Sequence, residues 1–384
     1  MTDITLAQRM ELMEESATLA LNARAKQLAA EGQTIYNLTA GELATDTPDY
    51  IQEAVAKTLK QNKYTPVAGL LDLRQAIAEE SKTFYGLDWI EPKNVVVTGG
   101  AKPALYATLL ALINPGDEVL VPVPAWVSYM QLIELVGGVV VEVPLTENFD
   151  IDPEAVKAKL TPRTKAIFVN SPQNPTGAIF SKSALDGLAT ILQGSGVTVI
   201  SDDIYSKLVF DDSFTLVPTI PFEQLVIING FSKSQALTGW RIGYVIAEQA
   251  VAQAITELLS HITGNAALPS QEAALEAMAR HDQPPADTLA TLRTQRQQVD
   301  AALKDVPGIT YHLPGGAFYF LLDLRAITDN SAQWCEQLLM KAGVALVPGE
   351  AFAAPGFARL TFSVDSSTLS KALVAITNFV KGDA

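Results

Sequence analysis

The chain has 384 residues, 48% of them hydrophobic, and its 42 Asp and Glu residues against 27 Lys and Arg residues give a net charge of −15. This length and hydrophobic content predict a globular protein with either two domains or one large and one small domain. The acidic balance argues against a nucleic-acid or anionic-membrane partner, because either partner would require a basic patch.

Residues that form disulfides or bind metals are few. A single cysteine, Cys335, excludes an internal disulfide and a cysteine-based zinc site. The three histidines, His261, His281 and His312, lack the spacing of metal ligands, so we interpret all four residues as structural and expect no metal. Residues 1–16 contain no sustained apolar run, unlike a secretory signal, and longer apolar runs elsewhere are too short to span a bilayer. We therefore expect a cytoplasmic protein.

The first three quarters of the chain alternate between short apolar runs and helix-like segments, after a helical pattern at residues 19–30. The runs predicted as strands are residues 95–98, 118–121, 139–143, 166–170, 197–201, 225–229 and 242–246. Near-continuous apolar runs are typical of strands buried on both faces of a largely parallel sheet. The pattern therefore predicts a large α/β domain.

The remaining part of the chain mixes helices and strands differently. From about Pro269 a helical pattern leads to a series of short strand-like runs and a final helix. The predicted strands are residues 311–313, 317–324, 343–347 and 358–362. This order is typical of a smaller α+β domain.

A glycine-containing turn joins the first predicted strand to a helical pattern. Gly100, Ala101 and Lys102 stand at this helix start, and Pro103 suits a first helical position because it has no N–H to leave unpaired. Backbone N–H groups at such a turn can bind an anion. The same pattern also fits an ordinary connection between a strand and a helix.

One lysine and one arginine lie eight positions apart after the predicted strand 225–229. Lys233 stands in a Ser/Thr/Gly-rich turn, where its amine can form a covalent bond with a carbonyl group. Arg241 offers the planar, permanently charged fork that suits a phosphate. Asp202 follows another predicted strand, where its carboxylate either caps a helix or points into a cleft. Together these residues suit an enzyme that holds a phosphorylated aldehyde covalently.

The segment 232–244 resembles the S-K-x-x-x-x-T-G-W-R-[IL]-G-Y motif of the fold-type I pyridoxal 5'-phosphate (PLP) aminotransferases of class I/II, the bacterial aspartate aminotransferases in particular. Further matches follow in the family's order at residues 37–42, 63–69, 171–177, 201–205 and 359–363. The resemblance implies a mainly parallel seven-stranded sheet in a large domain, residues 46–280, and a small domain, residues 281–384. It also implies that residues 1–45 pack with the small domain.

The resemblance implies a role for each matching residue. Lys233 would bind the cofactor aldehyde and act as general base, Asp202 would keep the ring nitrogen protonated, and Tyr205 would contact the ring's 3'-oxygen. The other residues implied to bind the cofactor are Gly100, Ala101, Lys102, Trp126, Asn174, Ser232, Arg241 and Tyr64. Tyr64 would reach the phosphate of a neighbouring subunit, which implies a homodimer with shared active sites.

The same resemblance implies a substrate. Arg359 would clamp the α-carboxylate with help from Asn174 and the backbone near Gly41, and Trp126 would lie beside the substrate. Lys102 and Ser16 would hold a second carboxylate, which favours aspartate and glutamate with 2-oxoglutarate and oxaloacetate in a ping-pong cycle.

Other substrates and a second reaction remain open, for different reasons. Glu14-Glu15 and Ala125 differ from the relatives' usual residues, so aromatic amino acids, alanine and prephenate remain alternatives. A carbon–sulfur β-lyase on the same fold is a further alternative, because it begins with the same deprotonation.

Overall fold

The computed structural model describes residues 6–7, 9–10, 17–61, 63–210, 224–280 and 286–382. Ser16 and His281, which the sequence analysis singled out, lie outside these residues. The helices are α1 (Ala17–Ala30), α2 (Asp49–Ala56), α3 (Leu71–Tyr85), α4 (Ala101–Leu112), α5 (Ser128–Leu135), α6 (Pro153–Lys159), α7 (Lys182–Leu192), α8 (Gln249–Ile262), α9 (Leu268–Ala279), α10 (Ala286–Leu303), α11 (Ser331–Ala342) and α12 (Ser366–Lys381). The strands are β1 (Tyr36–Asn37), β2 (Val95–Thr98), β3 (Glu118–Val123), β4 (Val139–Pro144), β5 (Thr164–Asn170), β6 (Thr198–Asp202), β7 (Leu225–Gly230), β8 (Gly243–Ile246), β9 (Tyr319–Asp323), β10 (Val344–Ala345), β11 (Val347–Pro348) and β12 (Phe357–Thr361).

A seven-stranded sheet has the order β2-β8-β7-β6-β5-β3-β4. Neighbouring strands pair in parallel, except that β8 is antiparallel to both β2 and β7. This confirms the predicted mainly parallel sheet, and each of the seven predicted strands lies within two residues of an observed one. Because β8 runs in the opposite direction, the residues before it meet the carboxyl ends of the other strands at one edge.

Helices cover both faces of this sheet. Side chains of α3, α7 and α9 pack on one face, and side chains of α4, α5 and α8 pack on the other. The strands are buried on both sides, so apolar residues occupy successive positions, as in the fully buried strand β2. Among the described residues, no helix combines the length and apolar character needed to cross a bilayer.

Side-chain caps define where several helices begin. Ser181 accepts a hydrogen bond from the backbone N–H of Ala184 at the start of α7, and Asp365 accepts one from Thr368 at the start of α12. Such caps satisfy backbone donors that have no partner inside the helix, and each contributes about 1 kcal/mol. The sequence therefore marks these helix starts locally.

A smaller antiparallel sheet has the order β11-β12-β9 and forms a separate core with α10, α11 and α12. The N-terminal segment contacts this part of the chain, because β1 pairs in parallel with β10. Leu38 then donates its backbone N–H to Ala345. These contacts bring residues 39–42 over the edge of the large sheet.

Two predicted strands differ from the structure. Residues 311–313 form no strand; the Tyr311 ring instead packs against Phe320, and a single bridge joins Thr310 to Asp323. Residues 343–347 form two short strands that belong to different sheets, β10 and β11, rather than one. Residues 311–313 thus carry apolar side chains without forming a ladder, and Leu313 is 52% exposed.

Candidate active site

A cavity of about 390 Å³ lies where the edge of the large sheet meets the small sheet and residues 40–42. The residues that line it are Asn22, Ala40, Gly41, Glu42, Ala101, Lys102, Trp126, Tyr129, Asn170, Asn174, Asp202, Ile204, Tyr205, Ser232, Lys233, Thr238, Arg241, Tyr319 and Arg359. The turns after β2, β3, β5, β6 and β7 and the residues before β8 all reach this edge, which is the usual place for a ligand in an open α/β sheet.

Lys233 lies three residues after β7, and its Nζ donates a hydrogen bond to the carbonyl of Gly41. Burial lowers the pKa of this amine from 10.5 to about 8, and the positive charges of Arg359 and Arg241 act in the same direction. A substantial fraction of the amine is therefore unprotonated near neutral pH, as a nucleophile or a general base requires.

Asp202 is the last residue of β6, and it caps no helix. Its Oδ2 accepts a hydrogen bond of 2.6 Å from the hydroxyl of Tyr129, and its Oδ1 accepts one from the backbone N–H of Ile204. Burial raises the pKa of this carboxyl to about 6, although both hydrogen bonds and the nearby Lys233 amine oppose the rise. The carboxylate is thus held in a dry site where a cationic partner would stabilise it strongly.

Arg359 lies in the middle of β12 and is fully buried. Its two terminal nitrogens donate to the Asn174 side chain at 2.9 Å and to the Thr39 carbonyl at 2.8 Å. The guanidinium lies between the rings of Tyr319 and Phe352, 4.4 and 4.8 Å from their centroids. Its Nε has no hydrogen-bond partner among the described residues. A buried cation without a carboxylate partner is suited to binding an anionic ligand.

A pair of tyrosines connects two parts of the cavity. The hydroxyls of Tyr205 and Tyr319 lie 2.9 Å apart, and both side chains are buried. A Cβ atom at Gly41 would lie 3.0 Å from the Tyr319 hydroxyl, so a larger residue at position 41 would crowd this pair. The chain segment over the cavity therefore approaches closely because it carries a glycine here.

The turn before α4 places a cation beside free backbone donors. Gly100 has φ +112°, and a Cβ atom there would lie 2.6 Å from a guanidinium nitrogen of Arg241. Arg241 itself has φ 52°, in the left-handed region that non-glycine residues seldom adopt. A helix start and an arginine held together in this way can bind a phosphate group.

Lys102 lies on the exposed side of the cavity. Its Nζ is 4.7 Å from the centre of the Trp126 ring, a cation–π distance. Partial burial lowers the pKa of its amine, and the charge of Arg241 lowers it further. Lys102 is one of the residues that line the cavity, so its charge is available to an anionic group bound there.

The structure brings most of the predicted site residues together and leaves Tyr64 away from the cavity. Gly100 lies against Arg241 but does not line the cavity, and Tyr64 is 97% exposed on the protein surface. Ser16 lies outside the described residues, so its predicted position is not observed.

Some lining residues were not predicted from the sequence. Tyr129 and Tyr319 appear as ordinary aromatic core residues in the sequence, and Asn22 lies in a helix of mixed pattern. Asn170 gave a usable signal, because it ends a predicted strand directly before the Ser-Pro turn. Its side chain donates to the Asp202 carbonyl and accepts from the Asn174 backbone N–H.

These groups fit a phosphorylated aldehyde with a protonated ring nitrogen. Lys233 supplies the amine, Asp202 a buried carboxylate, and Arg241 with the start of α4 a site for the phosphate. No cluster of three or more His, Cys, Asp or Glu side chains suited to a metal ion occurs within the part of the chain that the structure describes.

Comparisons with known proteins agree with this arrangement. The sequence profile for "Aminotransferase class I and II" matches residues 33–376. An aspartate aminotransferase of Thermotoga maritima is 39% identical over 381 residues, which cover 98% of this chain and 99% of that protein. An aspartate/prephenate aminotransferase of Thermus thermophilus is 39% identical over 374 residues, which cover 96% and 97%.

A solved structure gives the same result for the fold. The Thermus thermophilus aspartate aminotransferase with maleate matches with a TM-score of 0.94 at 38% identity, covering 98% of this chain and 100% of that one. The family match and the two relatives extend over nearly the whole chain, as does this structural match. The chain therefore belongs to the class I and II aminotransferases, a family of enzymes that use pyridoxal 5'-phosphate.

Proposed function

We propose that this enzyme transfers the amino group of L-aspartate or L-glutamate to 2-oxoglutarate or oxaloacetate in a ping-pong cycle. The observation that carries this proposal is the presence of two cations, Arg359 and Lys102, in one cavity of about 390 Å³. A dicarboxylate offers one carboxylate to each cation, whereas alanine or an aromatic amino acid leaves Lys102 without a partner.

The relatives support the same substrate class. The Thermotoga protein is named as an aspartate aminotransferase, and the Thermus structure was solved with maleate, which is a dicarboxylate. Both relatives are named for transamination rather than elimination, which favours amino-group transfer over the lyase alternative. The name of the other Thermus protein adds prephenate, which also carries two carboxylates.

The proposed roles follow from where the side chains lie. Arg359 binds the substrate α-carboxylate, and Asn174 fixes the guanidinium plane through its 2.9 Å hydrogen bond. This orients the bond between Cα and its hydrogen, from which the Lys233 Nζ takes the proton. The bound cofactor supplies an electron-accepting ring. Asp202, held by Tyr129, stabilises the proton on the ring nitrogen.

The remaining roles concern cofactor binding. Arg241, Ser232 and the backbone at Gly100 and Ala101 would hold the phosphate, and Tyr205 would donate a hydrogen bond to the ring's 3'-oxygen. Trp126 would cover one face of the ring, because its indole lines the same cavity at half burial.

We also propose a homodimer with shared active sites. Tyr64 projects from the surface with 97% of its side chain exposed, where it is available to a second copy. Mixing Lys233→Ala subunits with Tyr64→Ala subunits would then create one intact site in each mixed dimer. Recovery of activity on mixing, together with a dimeric mass by light scattering, is expected. A monomeric mass would contradict the proposal.

The substrate assignment is tested by a half-reaction with single amino acids. The visible spectrum of the purified protein is followed with L-aspartate, L-glutamate, L-alanine or L-phenylalanine and no oxo acid. We expect the two acidic amino acids to convert the cofactor at the lowest concentrations. Conversion by phenylalanine or alanine at lower concentrations would contradict the role of Lys102, and prephenate as amino acceptor in the second half-reaction tests that alternative.

A Lys102→Ala variant sharpens this test. We expect the specificity for aspartate to fall by about 10- to 100-fold, the cost of one charge-assisted contact, with little change for alanine. Lys182→Ala is the matched control, since Lys182 is an exposed lysine that pairs with Asp186 on α7. An equal loss for both amino acids would indicate that Lys102 serves the cofactor rather than the second carboxylate.

A further inference from the structure

The end of strand β6 carries two consecutive buried carboxyl groups, and only the first enters the proposed reaction. Successive side chains of a strand point to opposite faces. Ile200 packs with the side chains of α4, α5 and α8, whereas Val199 packs with those of α3, α7 and α9. Asp202 follows the first pattern and lines the cavity, and Asp203 follows the second and points to the reverse face.

Asp203 is only 3% exposed and is held by several groups on that face. The hydroxyl of Ser201 donates to its Oδ1 at 2.6 Å. Tyr85, at the end of α3, is a second hydrogen-bond partner of the same carboxyl. The backbone N–H of Asp203 donates to the carbonyl of Ile228 in β7 at 2.8 Å.

The same cluster reaches the strand that leads to Lys233. The side-chain amide of Asn229 donates to the Tyr85 hydroxyl at 3.2 Å and to the Ser206 hydroxyl at 3.3 Å. Its carbonyl oxygen accepts the backbone N–H of Gly230, three residues before the lysine. Asp203 and its partners therefore connect the segment that carries Asp202 to the segment that carries Lys233.

We propose that Asp203 is a positioning residue for the transamination reaction. Its buried carboxylate lies on the opposite face of the sheet and acts through Asp202 by its negative charge. This inference rests on the role proposed above for Asp202. A second negative charge behind Asp202 increases the attraction for the cationic ring nitrogen that Asp202 would pair with. The effect exists only when Asp203 is ionised.

The surroundings of Asp203 set the pH range of this effect. Burial raises the pKa of its carboxyl to about 7, hydrogen bonds from Ser201 and Tyr85 oppose the rise, and the charge of Asp202 adds to it. Tyr244 of β8 also faces this cluster. On α3, Glu80 acts on Tyr244 and forms an ion pair with Lys207. Asp203 is therefore neutral below about pH 6 and ionised above about pH 8.

The test compares the holoenzyme with an Asp203→Asn variant between pH 5.5 and 8.5. Asparagine resembles a protonated aspartate in size and shape, so we expect nearly equal kcat values at the acidic end. Above pH 8 we expect the variant's kcat to be lower by about tenfold, with KM values within about twofold. A ratio of kcat values that is constant over the pH range, whether large or close to one, would overturn the proposal.

A second variant and a control keep the test decisive. Tyr85→Phe keeps the ring but removes a hydrogen bond that opposes the rise in the pKa of Asp203, so we expect a smaller loss of kcat that is confined to the pH range in which Asp203 ionises. If the Asp203→Asn variant does not accumulate, Tyr85→Phe replaces it in the test. A ratio of kcat values that does not vary with pH then overturns the proposal. Glu118→Gln, which changes a buried carboxyl paired with Arg163 at the start of β3, is expected to leave the profile unchanged.

The cofactor-free protein gives an independent measurement. A carboxyl with a folded-state pKa near 7 and an unfolded-state pKa near 3.8 lowers the free energy of unfolding as the pH rises from 4 to 7. The Asp203→Asn variant lacks this loss, so its melting temperature relative to wild type should rise over that range. If the difference in melting temperature does not rise, the pKa of the Asp203 carboxyl is not raised.

The assay uses any amino acid that the wild-type enzyme converts. A wild type that prefers an amino acid other than aspartate would overturn the substrate proposal and leave the Asp203 comparison intact. Conversely, a flat pH ratio with aspartate as the preferred substrate would overturn only the role of Asp203.

Discussion

The two ends of the cavity are built in different ways. At the end proposed to hold the cofactor, called the cofactor end, Lys233, Asp202 and Ala101 each lie in or next to a turn at the edge of one sheet. At the substrate end, Arg359 comes from the small sheet and Gly41 from the N-terminal segment. The cofactor end is therefore fixed by one continuous core, whereas the substrate end depends on contacts among parts of the chain that are distant in sequence.

The number of unpaired polar atoms also differs between the two ends. Asp202 has hydrogen bonds from Tyr129 and from the backbone, whereas the buried Arg359 keeps an Nε without a partner among the described residues. In a site for a permanently bound ligand, the polar side chains can be hydrogen-bonded within the protein before the ligand binds. A site for an exchanging substrate keeps binding capacity free, and this difference predicts how substitutions at each end will act.

The largest effect is expected at Lys233. Lys233→Ala removes the amine proposed to take the proton from Cα, so transamination should fall by about four orders of magnitude, the upper range for a general base. The variant should still bind the cofactor noncovalently through Arg241 and Asp202, as a spectroscopic titration would show. Lys182→Ala serves as control, and near-normal turnover by Lys233→Ala would remove this lysine from the mechanism.

A substitution at Arg359 tests the substrate end. Arg359→Lys keeps the charge but loses the planar fork between Asn174 and Thr39, so kcat/KM should fall by about 100-fold for every amino acid. Cofactor affinity should stay within about twofold, because Arg359 is proposed to bind the substrate and not the cofactor. Steady-state kinetics and cofactor titration measure both quantities. A large loss of cofactor affinity would mean that the two ends are not separate.

Tyr319 lies between the two ends, since its hydroxyl contacts Tyr205 and its ring contacts Arg359. Tyr319→Phe removes the hydroxyl and keeps the ring, so kcat/KM should fall about fivefold, as for one hydrogen bond of about 1 kcal/mol. A double-mutant cycle with Tyr205→Phe should show that the two losses are not additive. Additive losses would contradict a direct contact in the working enzyme.

The pH dependence of cofactor uptake tests the cofactor end without any substitution. Only the neutral Lys233 amine can attack the aldehyde, and its pKa is lowered to about 8. The rate of uptake by the cofactor-free protein should therefore rise nearly tenfold per pH unit below 8 and level off above it. Stopped-flow absorbance measures this rate, and a rise that continues to pH 10 would indicate an unperturbed lysine.

Much of the cofactor end could be predicted from the sequence. Residues there follow apolar runs directly, so a strand pattern and a turn are enough to place Lys233 and Asp202 at one edge. The incorrect strand at residues 311–313 shows the limit of this reasoning. Tyr311 is apolar enough to resemble a strand residue, but its ring contacts Phe320 and its hydroxyl donates a hydrogen bond to the Asp300 carboxylate.

The sequence by itself determined the sheet, the turns at its edge and the chemical character of the residues in them. Only the tertiary structure decided which of those residues meet. Tyr129 and Asp202 are 73 residues apart, Tyr205 and Tyr319 are 114 apart, and Arg359 and Thr39 are 320 apart. Local periodicity and turn chemistry act over a few residues, whereas such pairs form because the two sheets and the N-terminal segment pack together.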